Sequence, residues 1–302
     1  MTSPLTGSSN TRLLRRIPAA ELDALWSSTL GFTVSEFMPA TSNGISLHEC
    51  LDTGFHYYSH PEIAGQAAFY TRLAEFPWYY PRARWDLDKG LELASKAVRL
   101  IEIGCGDGHF LERWSATVTT QHKACWGMEI NVSAAERARS KGFDVTTENL
   151  CDVAKSRTEG FDTVCSFQVL EHVPDPASFL RDAISLLSPK GLLILAVPNR
   201  ECHLHLDGNP LDYPPHHMGR WSAAVFKSLE RFFPLRLEQL FTQPLVPEEF
   251  DRFLSAAAGR SAYSRAILRL PGFRRIARHV LALGACNFFR GQSLVATFRK
   301  TS

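Results

Sequence analysis

The chain has 302 residues, enough for one large domain with additions or for two small ones. A hydrophobic fraction of 45% against 21% charged residues is that of an ordinary globular chain and excludes fibrous and intrinsically disordered classes. With a formal net charge of only +2 there is no global field to draw the protein onto nucleic acid, so nucleic acid is not expected as a partner.

The first sixteen residues are expected to be a disordered tail, because the opening ten are rich in Ser, Thr and Gly. The arginines that follow lead into no apolar segment, so no secretory signal is expected. The run VLALGACNFF near the other end is too short to span a bilayer, and no transmembrane segment is expected. Seven cysteines (Cys50, Cys105, Cys125, Cys151, Cys165, Cys202, Cys286) are odd in number and scattered without a CxxC pair. That pattern suits reduced thiols and a cytoplasmic location.

Residues 17–97 read as an N-terminal extension and lid. Signals over 17–44 are mixed, whereas 62–80 and 83–97 carry apolar residues at three-to-four spacing and predict helices. The first of these is unusually aromatic, with Phe69, Tyr70, Phe76, Trp78, Tyr79 and Tyr80, and the rings from Tyr70 to Trp85 are candidates for a cover over a binding site. From 98 onward short apolar runs alternate with amphipathic segments. The runs are VRLIEIG (98–104), KACWGMEI (123–130), FDVTTENL (143–150), FDTVCSFQ (161–168) and GLLILAVP (191–198). Such alternation predicts right-handed βαβ crossovers and a parallel sheet covered on both faces. After Pro198 comes a turn-rich stretch, NRECHLHLDGNPLDYPPHHMGRWS, then a helix in SAAVFKSLERFF. LRLEQLFTQPL and SLVATFRK predict two further strands, with a helical insertion over about 247–290 between them.

The stretch RLIEIGCGDGHFLERW (99–114) carries the first chemical signal. Gly104, Gly106 and Gly108 between a strand and a helix put bare backbone and the helix's unpaired N–H groups at the sheet's carboxyl edge. The spacing is GxGxG, with His109 standing where a dinucleotide fold wants its third glycine. Glu102, inside the strand, would repel a pyrophosphate and attract an ammonium group. Both features speak against an NAD(P)-dependent oxidoreductase, the principal alternative enzyme class. Glu129, ending the next strand, is placed to accept the two hydroxyls of a ribose.

These residues resemble the class I S-adenosylmethionine-dependent methyltransferases, strongly over about 97–200 and more loosely over 200–302. IEIGCGDG is similar to the family's first motif, and VLEHVPDP to a subgroup that includes ubiquinone-biosynthesis O-methyltransferases and many natural-product and sugar enzymes. The resemblance implies S-adenosyl-L-methionine as cofactor, with Glu102, Gly104, Gly106, Gly108, Glu129, Asn149, Leu150 and Gln168 binding it. Asn149 departs from the family, which usually has aspartate there, yet its amide oxygen can still accept a hydrogen bond from an adenine amino group. The implied fold is α/β: a Rossmann-like, seven-stranded, mostly parallel sheet with an antiparallel last strand. An N-terminal helical extension is expected over the cofactor edge, with the helical insertion before the last strand. A catalytically inactive, cofactor-binding scaffold remains the non-enzymatic alternative. The stretch HECLDTGFHYYSHPEIAGQAAFYTRLAE resembles methyltransferases that open with a cysteine-bearing ribbon; only Cys50 remains here, so a structural zinc is not expected.

At the acceptor end three histidines are candidates for a general base or orienting group: His172 in VLEHV and the pair His216 and His217 in PPHH. A small-molecule acceptor is expected, with O-methylation ahead of N- or C-methylation. Cys202, His203, His205, Asp207, His216 and His217 lie close in sequence, but they lack zinc-site regularity and no metal is expected, although whether a divalent ion assists stays open. Arg260, Arg265, Arg269, Arg274, Arg275 and Arg278 in the insertion favour an anionic acceptor. Peripheral membrane contact through 264–284 is the less favoured reading beside a simple solvated face.

Overall fold

The computed structural model describes residues 1–38, 44–76, 78–79, 84–119, 121–202, 209–246, 249–250, 254, 270 and 272–301. The N-terminal part runs β1 (Thr11–Ile17), α1 (Ala19–Leu30), β2 (Ile45–Cys50), β3 (Phe55–Tyr58), α2 (Ala67–Ala74) and α3 (Trp85–Leu93). The alternating core follows: β4 (Arg99–Ile103), α4 (His109–Thr117), β5 (Ala124–Met128), α5 (Val132–Ser140), β6 (Asp144–Thr146), α6 (Leu150–Ser156), β7 (Phe161–Phe167), α7 (Pro176–Leu186) and β8 (Leu187–Pro198). Last come β9 (Gly219–Arg220), α8 (Ala223–Ser228), β10 (Leu235–Pro244), α9 (Phe273–Ala282) and β11 (Arg290–Lys300).

Seven strands form the main sheet in the order β10-β11-β8-β7-β4-β5-β6. The pairings β6 to β5, β5 to β4, β4 to β7 and β7 to β8 are parallel, whereas β11 runs antiparallel to both β8 and β10. Only β11 therefore opposes the others, as the sequence leads one to expect. Period-two alternation sorts the sheet's side chains onto two faces. Ile101, Ile103, Val164, Leu193 and Leu195 pack with residues of α6, α7 and α8. Leu100, Cys165, Ile194 and Ala196 pack with residues of α3, α4 and α5. Being covered on both sides is why β7 and β8 read as continuous apolar runs. The sharp entry to α7 comes from Asp175, whose Oδ1 accepts the Ser178 N–H at 3.0 Å, and from Pro176 at the first helical position.

Several expectations need correction. Residues 1–16 are not a disordered tail: β1 pairs antiparallel with β2, and Leu5 is 1% exposed within the core. The strand was hidden because it is an edge whose residues before Ile17 are mostly exposed, leucines and arginines alike; backbone pairing, which leaves no mark on composition, holds it. The extension is moreover partly a sheet, β1-β2-β3-β9, rather than helices alone. Its fourth strand is the two-residue β9, which arrives from beyond β8 and is too short to have a period. The helix expected over 62–80 is the shorter α2, preceded by a single 3-10 turn at Pro61–Ile63, and that expected over 83–97 is α3. Of the insertion, residues 247–248, 251–253, 255–269 and 271 lie outside the described residues, Arg260, Arg265 and Arg269 among them; α9 supplies its described helix. Among the described residues no helix is long and apolar enough to cross a membrane.

Candidate active site

The loops at the carboxyl ends of β4, β5 and β7 meet the segment leading into β9. After Ile103 the chain turns through Gly104, Gly106 and Gly108 with φ of +81°, +55° and +79°, a region L side chains rarely adopt. Each glycine has its own reason. A Cβ on Gly104 would lie 2.3 Å from Val169 Cγ2, whereas one on Gly106 would meet nothing within 4 Å. Gly104 is therefore fixed by packing, and Gly106 borders an open cradle. The N–H groups of Gly104 and Cys105 both donate to the Met128 carbonyl, at 2.7 and 2.9 Å, which ties the loop to the end of β5.

Glu129 completes this clamp. Its Oε2 accepts the Gly106 N–H at 2.9 Å and its Oε1 the Asn131 N–H at 2.8 Å. Each oxygen keeps a second lone pair for a ligand hydroxyl, so the carboxylate shapes the cradle and still faces it. Glu102 is 3% exposed, and its Oε2 has no hydrogen-bond partner among the described residues. Burial pushes its pKa well up, opposed by the nearby Arg84 guanidinium. A buried, unpartnered carboxyl oxygen is costly, and a ligand's ammonium group would satisfy it.

Gln168 follows β7 with φ +58°, a strained conformation for a residue with a side chain. It is held there: its N–H donates to the Ala196 carbonyl at 2.9 Å and its Nε2 to Asp86 Oδ2 at 3.2 Å. Asp86, 2% exposed in the first turn of α3, also takes the Arg84 fork, with Nε on Oδ1 at 3.1 Å. Asn149 is the exposed residue at the start of α6, and Leu150 packs half-buried on the core.

The three histidines converge. His172 and His216 rings lie 4.5 Å apart between centroids, His172 and His217 5.0 Å, and His216 and His217 4.5 Å in a near-parallel stack. The His172 Nδ1 is 2.6 Å from the His216 carbonyl and the His216 Nδ1 is 2.9 Å from the Leu211 carbonyl. A carbonyl can only accept, so both Nδ1 atoms carry the hydrogen and both Nε2 atoms keep a lone pair. Tyr79 Oη meets the His216 Nε2 at 2.9 Å, and Tyr70 stands edge-on to His172. The His217 Nδ1 lies 3.7 Å from Asp212 Oδ1. Burial, followed by the neighbouring His217, holds the pKa of His172 and His216 below the usual histidine range. Glu171 adjoins the cluster: its Oε1 is 3.6 Å from the His172 Nε2, its Oε2 is unpartnered among the described residues, and burial raises its pKa to about 8. Its carbonyl accepts the Met218 and Gly219 N–H groups, which binds the β7 turn to the histidine segment.

All the proposed cofactor residues thus line or border one edge, and the three candidate histidines form one cluster. Cys202 is not part of it, being buried with Leu245, Phe250 and Leu281; His203, His205 and Asp207 lie outside the described residues. So do Tyr80 and residues 81–83 of the expected aromatic cover. Tyr79, one of the rings expected to cover the site, does meet the cluster, whereas Arg84, Asp86, Glu171 and Asp212 were not foreseen as site residues. Glu171 stood inside the quoted VLEHVPDP, but nothing in sequence marks a carboxyl as unpartnered. Arg84 and Asp86 look like ordinary helix-start charges.

A glycine turn clamped by one acid, with a second acid buried beside it at the edge of this sheet order, is in keeping with a Rossmann-like methyltransferase fold. The chain belongs to the methyltransferase-domain family, whose model matches residues 76–243, and S-adenosyl-L-methionine is the cofactor that its cradle fits. It is similar to the ubiquinone biosynthesis O-methyltransferase of Caulobacter sp. (strain K31), 37% identical over 130 residues, 39% of this chain and 48% of that one. The enzyme of the same description from Parvibaculum lavamentivorans is 31% identical over 127 residues, 41% of this chain and 49% of its own. The chain spans about half the length of the curated relatives it matches. A solved SAM-dependent methyltransferase from Archaeoglobus fulgidus shares the fold, with a TM-score of 0.51 and 19% identity over 76% of this chain and 100% of that one.

Proposed function

We propose that this protein transfers a methyl group from S-adenosyl-L-methionine to a hydroxyl of a small-molecule acceptor. The observation that carries the reading is the buried Glu102 oxygen, without a partner among the described residues, beside the open Gly106 turn, with Glu129 one strand away. When bound, the cofactor supplies an electrophilic methyl on a sulfonium. Glu102 accepts from the ammonium of its methionyl end, and Arg84 offers the complementary charge to the carboxylate. Glu129 accepts from the ribose hydroxyls while holding the loop, Gly104 and Gly108 shape the turn, and Asn149, Leu150 and Gln168 flank the remainder. In-line displacement leaves the protein mainly to hold, align and dry the reactants.

His172, His216 and His217, with Tyr70 and Tyr79 against them, act as one unit that orients the acceptor hydroxyl and draws off its proton. The O-methyltransferase names of the curated relatives favour oxygen over nitrogen or carbon as the methylated atom. An anionic acceptor is supported by the exposed Arg274, Arg275 and Arg278 of α9. Seven free cysteines support a cytoplasmic location.

Two measurements test the reading. Calorimetry with S-adenosylhomocysteine and with NADH should register heat only with the former. Incubation of the purified chain with S-adenosylmethionine and a panel of phenols, catechols and sugars should yield S-adenosylhomocysteine and a methyl ether detectable by mass spectrometry. Tight NADH binding would move the protein to the oxidoreductases. Cofactor binding without product from any acceptor, including a metabolite extract, would support the scaffold reading.

A further inference from the structure

We propose that His172, His216 and His217 form a binding site for a divalent transition-metal ion, Zn²⁺ or a close relative such as Co²⁺, with an open position toward the acceptor. Binding of the ion is independent of the methyl-transfer reading; its role as acceptor activator rests on that reading. Among the described residues this is the group of side chains that satisfies the geometry: one ring nitrogen from each histidine lies within 4.8 Å of the other two. None of the three sits at ligand spacing with a partner along the chain. His172 comes from the turn after β7, whereas the adjacent pair arrives 44 residues on.

The hydrogen bonds behind the rings point the same way. A metal-binding imidazole characteristically donates its remote N–H to a carbonyl or carboxylate, which fixes the tautomer and aims the other nitrogen. His172 does so to the His216 carbonyl and His216 to the Leu211 carbonyl, and His217 faces the Asp212 carboxylate. The lone pair on the His172 Nε2 lies 3.6 Å from the Glu171 Oε1, too far for a hydrogen bond, beside a carboxyl oxygen with no partner among the described residues. A cation near this point answers both. Three neutral imidazoles select a borderline ion over Mg²⁺ or Ca²⁺, which require oxygen ligands. Three protein ligands with a fourth position open is the arrangement of reactive rather than structural zinc sites. At that position the ion would lower the pKa of a bound acceptor hydroxyl and accept the charge of its oxygen, the proton leaving to solvent. The three histidines would then serve as ligands in place of the proton-accepting role.

Closure requires movement that can be stated. Nitrogens about 2.1 Å from a tetrahedral ion lie about 3.4 Å from one another, so the rings must draw together. His217 must turn out of its stack on His216, now 26° between planes, and Tyr79 must leave the His216 Nε2.

The test uses the full chain, stripped with chelator and dialysed against Co²⁺ alone. One Co²⁺ per chain with intense visible ligand-field absorption of tetrahedral type is expected. His172→Ala and His217→Gln should each weaken Co²⁺ binding at least 100-fold. Tyr79→Phe, which removes the competitor for the His216 Nε2, should bind as tightly as wild type or more so. S-adenosylhomocysteine binding, read by calorimetry on each variant, reports folding at the separate glycine turn. Absence of stoichiometric Co²⁺ from a wild-type chain that binds S-adenosylhomocysteine overturns the metal site and leaves the methyltransferase reading standing. Retention of the ion by both histidine variants also overturns it. Stoichiometric Co²⁺ lost in those variants supports the site even where no cofactor binds, in which case the methyltransferase reading fails by itself.

Discussion

Replacing Glu102 by glutamine isolates the interaction on which the cofactor reading turns. The side chain is 3% exposed, one oxygen has no partner among the described residues, and burial raises its pKa. Glutamine keeps the shape and removes the charge. A hydrogen bond between charged groups contributes about 1.5–3 kcal/mol, so the variant should bind S-adenosylhomocysteine about 10- to 150-fold more weakly. The weakening should be smaller at low pH and grow as pH rises, because burial raises the carboxyl's pKa and the ammonium contact requires the carboxylate. Two accompanying signatures separate this from generic damage. Wild-type binding should release up to one proton, read by calorimetry in buffers of different ionisation enthalpy, and Glu102→Gln should release less. The unliganded variant should be no less stable than wild type. The sign for stability follows from a folded pKa above the unfolded value of 4.5: the protonated carboxyl's contribution is complete below pH 4.5 and is lost as pH rises through the folded pKa. The melting temperature of the free wild type should thus fall with rising pH relative to Glu102→Gln, and bound ligand should narrow the gap. A variant that binds as tightly as wild type and releases the same proton would refute the role given to Glu102.

Gly106→Val should abolish S-adenosylhomocysteine binding, since its side chain enters the open cradle, and should cost about 1–2 kcal/mol of stability from the φ of +55°, measured by urea unfolding. Glu129→Ala should lose both the loop clamp and the ribose contact, weakening cofactor binding about 100-fold, with extra hydrogen exchange at the Gly106 and Asn131 amides. Asp175→Ala should lower stability by about 1 kcal/mol through loss of the α7 cap without altering cofactor affinity. Arg274→Glu combined with Arg275→Glu should raise the KM for the acceptor and spare S-adenosylhomocysteine binding; an unchanged KM would retire the anionic acceptor.

The order of the core, its parallel sheet and the glycine turn were legible in the sequence because each rests on local properties. A strand buried on both faces must be a continuous apolar run, and a backbone bent into φ near +80° beside a ligand favours glycine. The acids that serve the turn were legible for the same reason, being one and two strands along a fixed topology. What tertiary structure alone decided depends on partners distant in the chain. β1 is held by backbone pairing to β2, and the two-residue β9 by pairing to β3, neither of which leaves a hydrophobic period. Whether His172 meets the His216–His217 pair depends on how the β7 turn is bonded to the segment leading into β9 through the Glu171 carbonyl. Side-chain chemistry is written in the chain, but the distances that make three imidazoles one site exist only after the fold has brought them together.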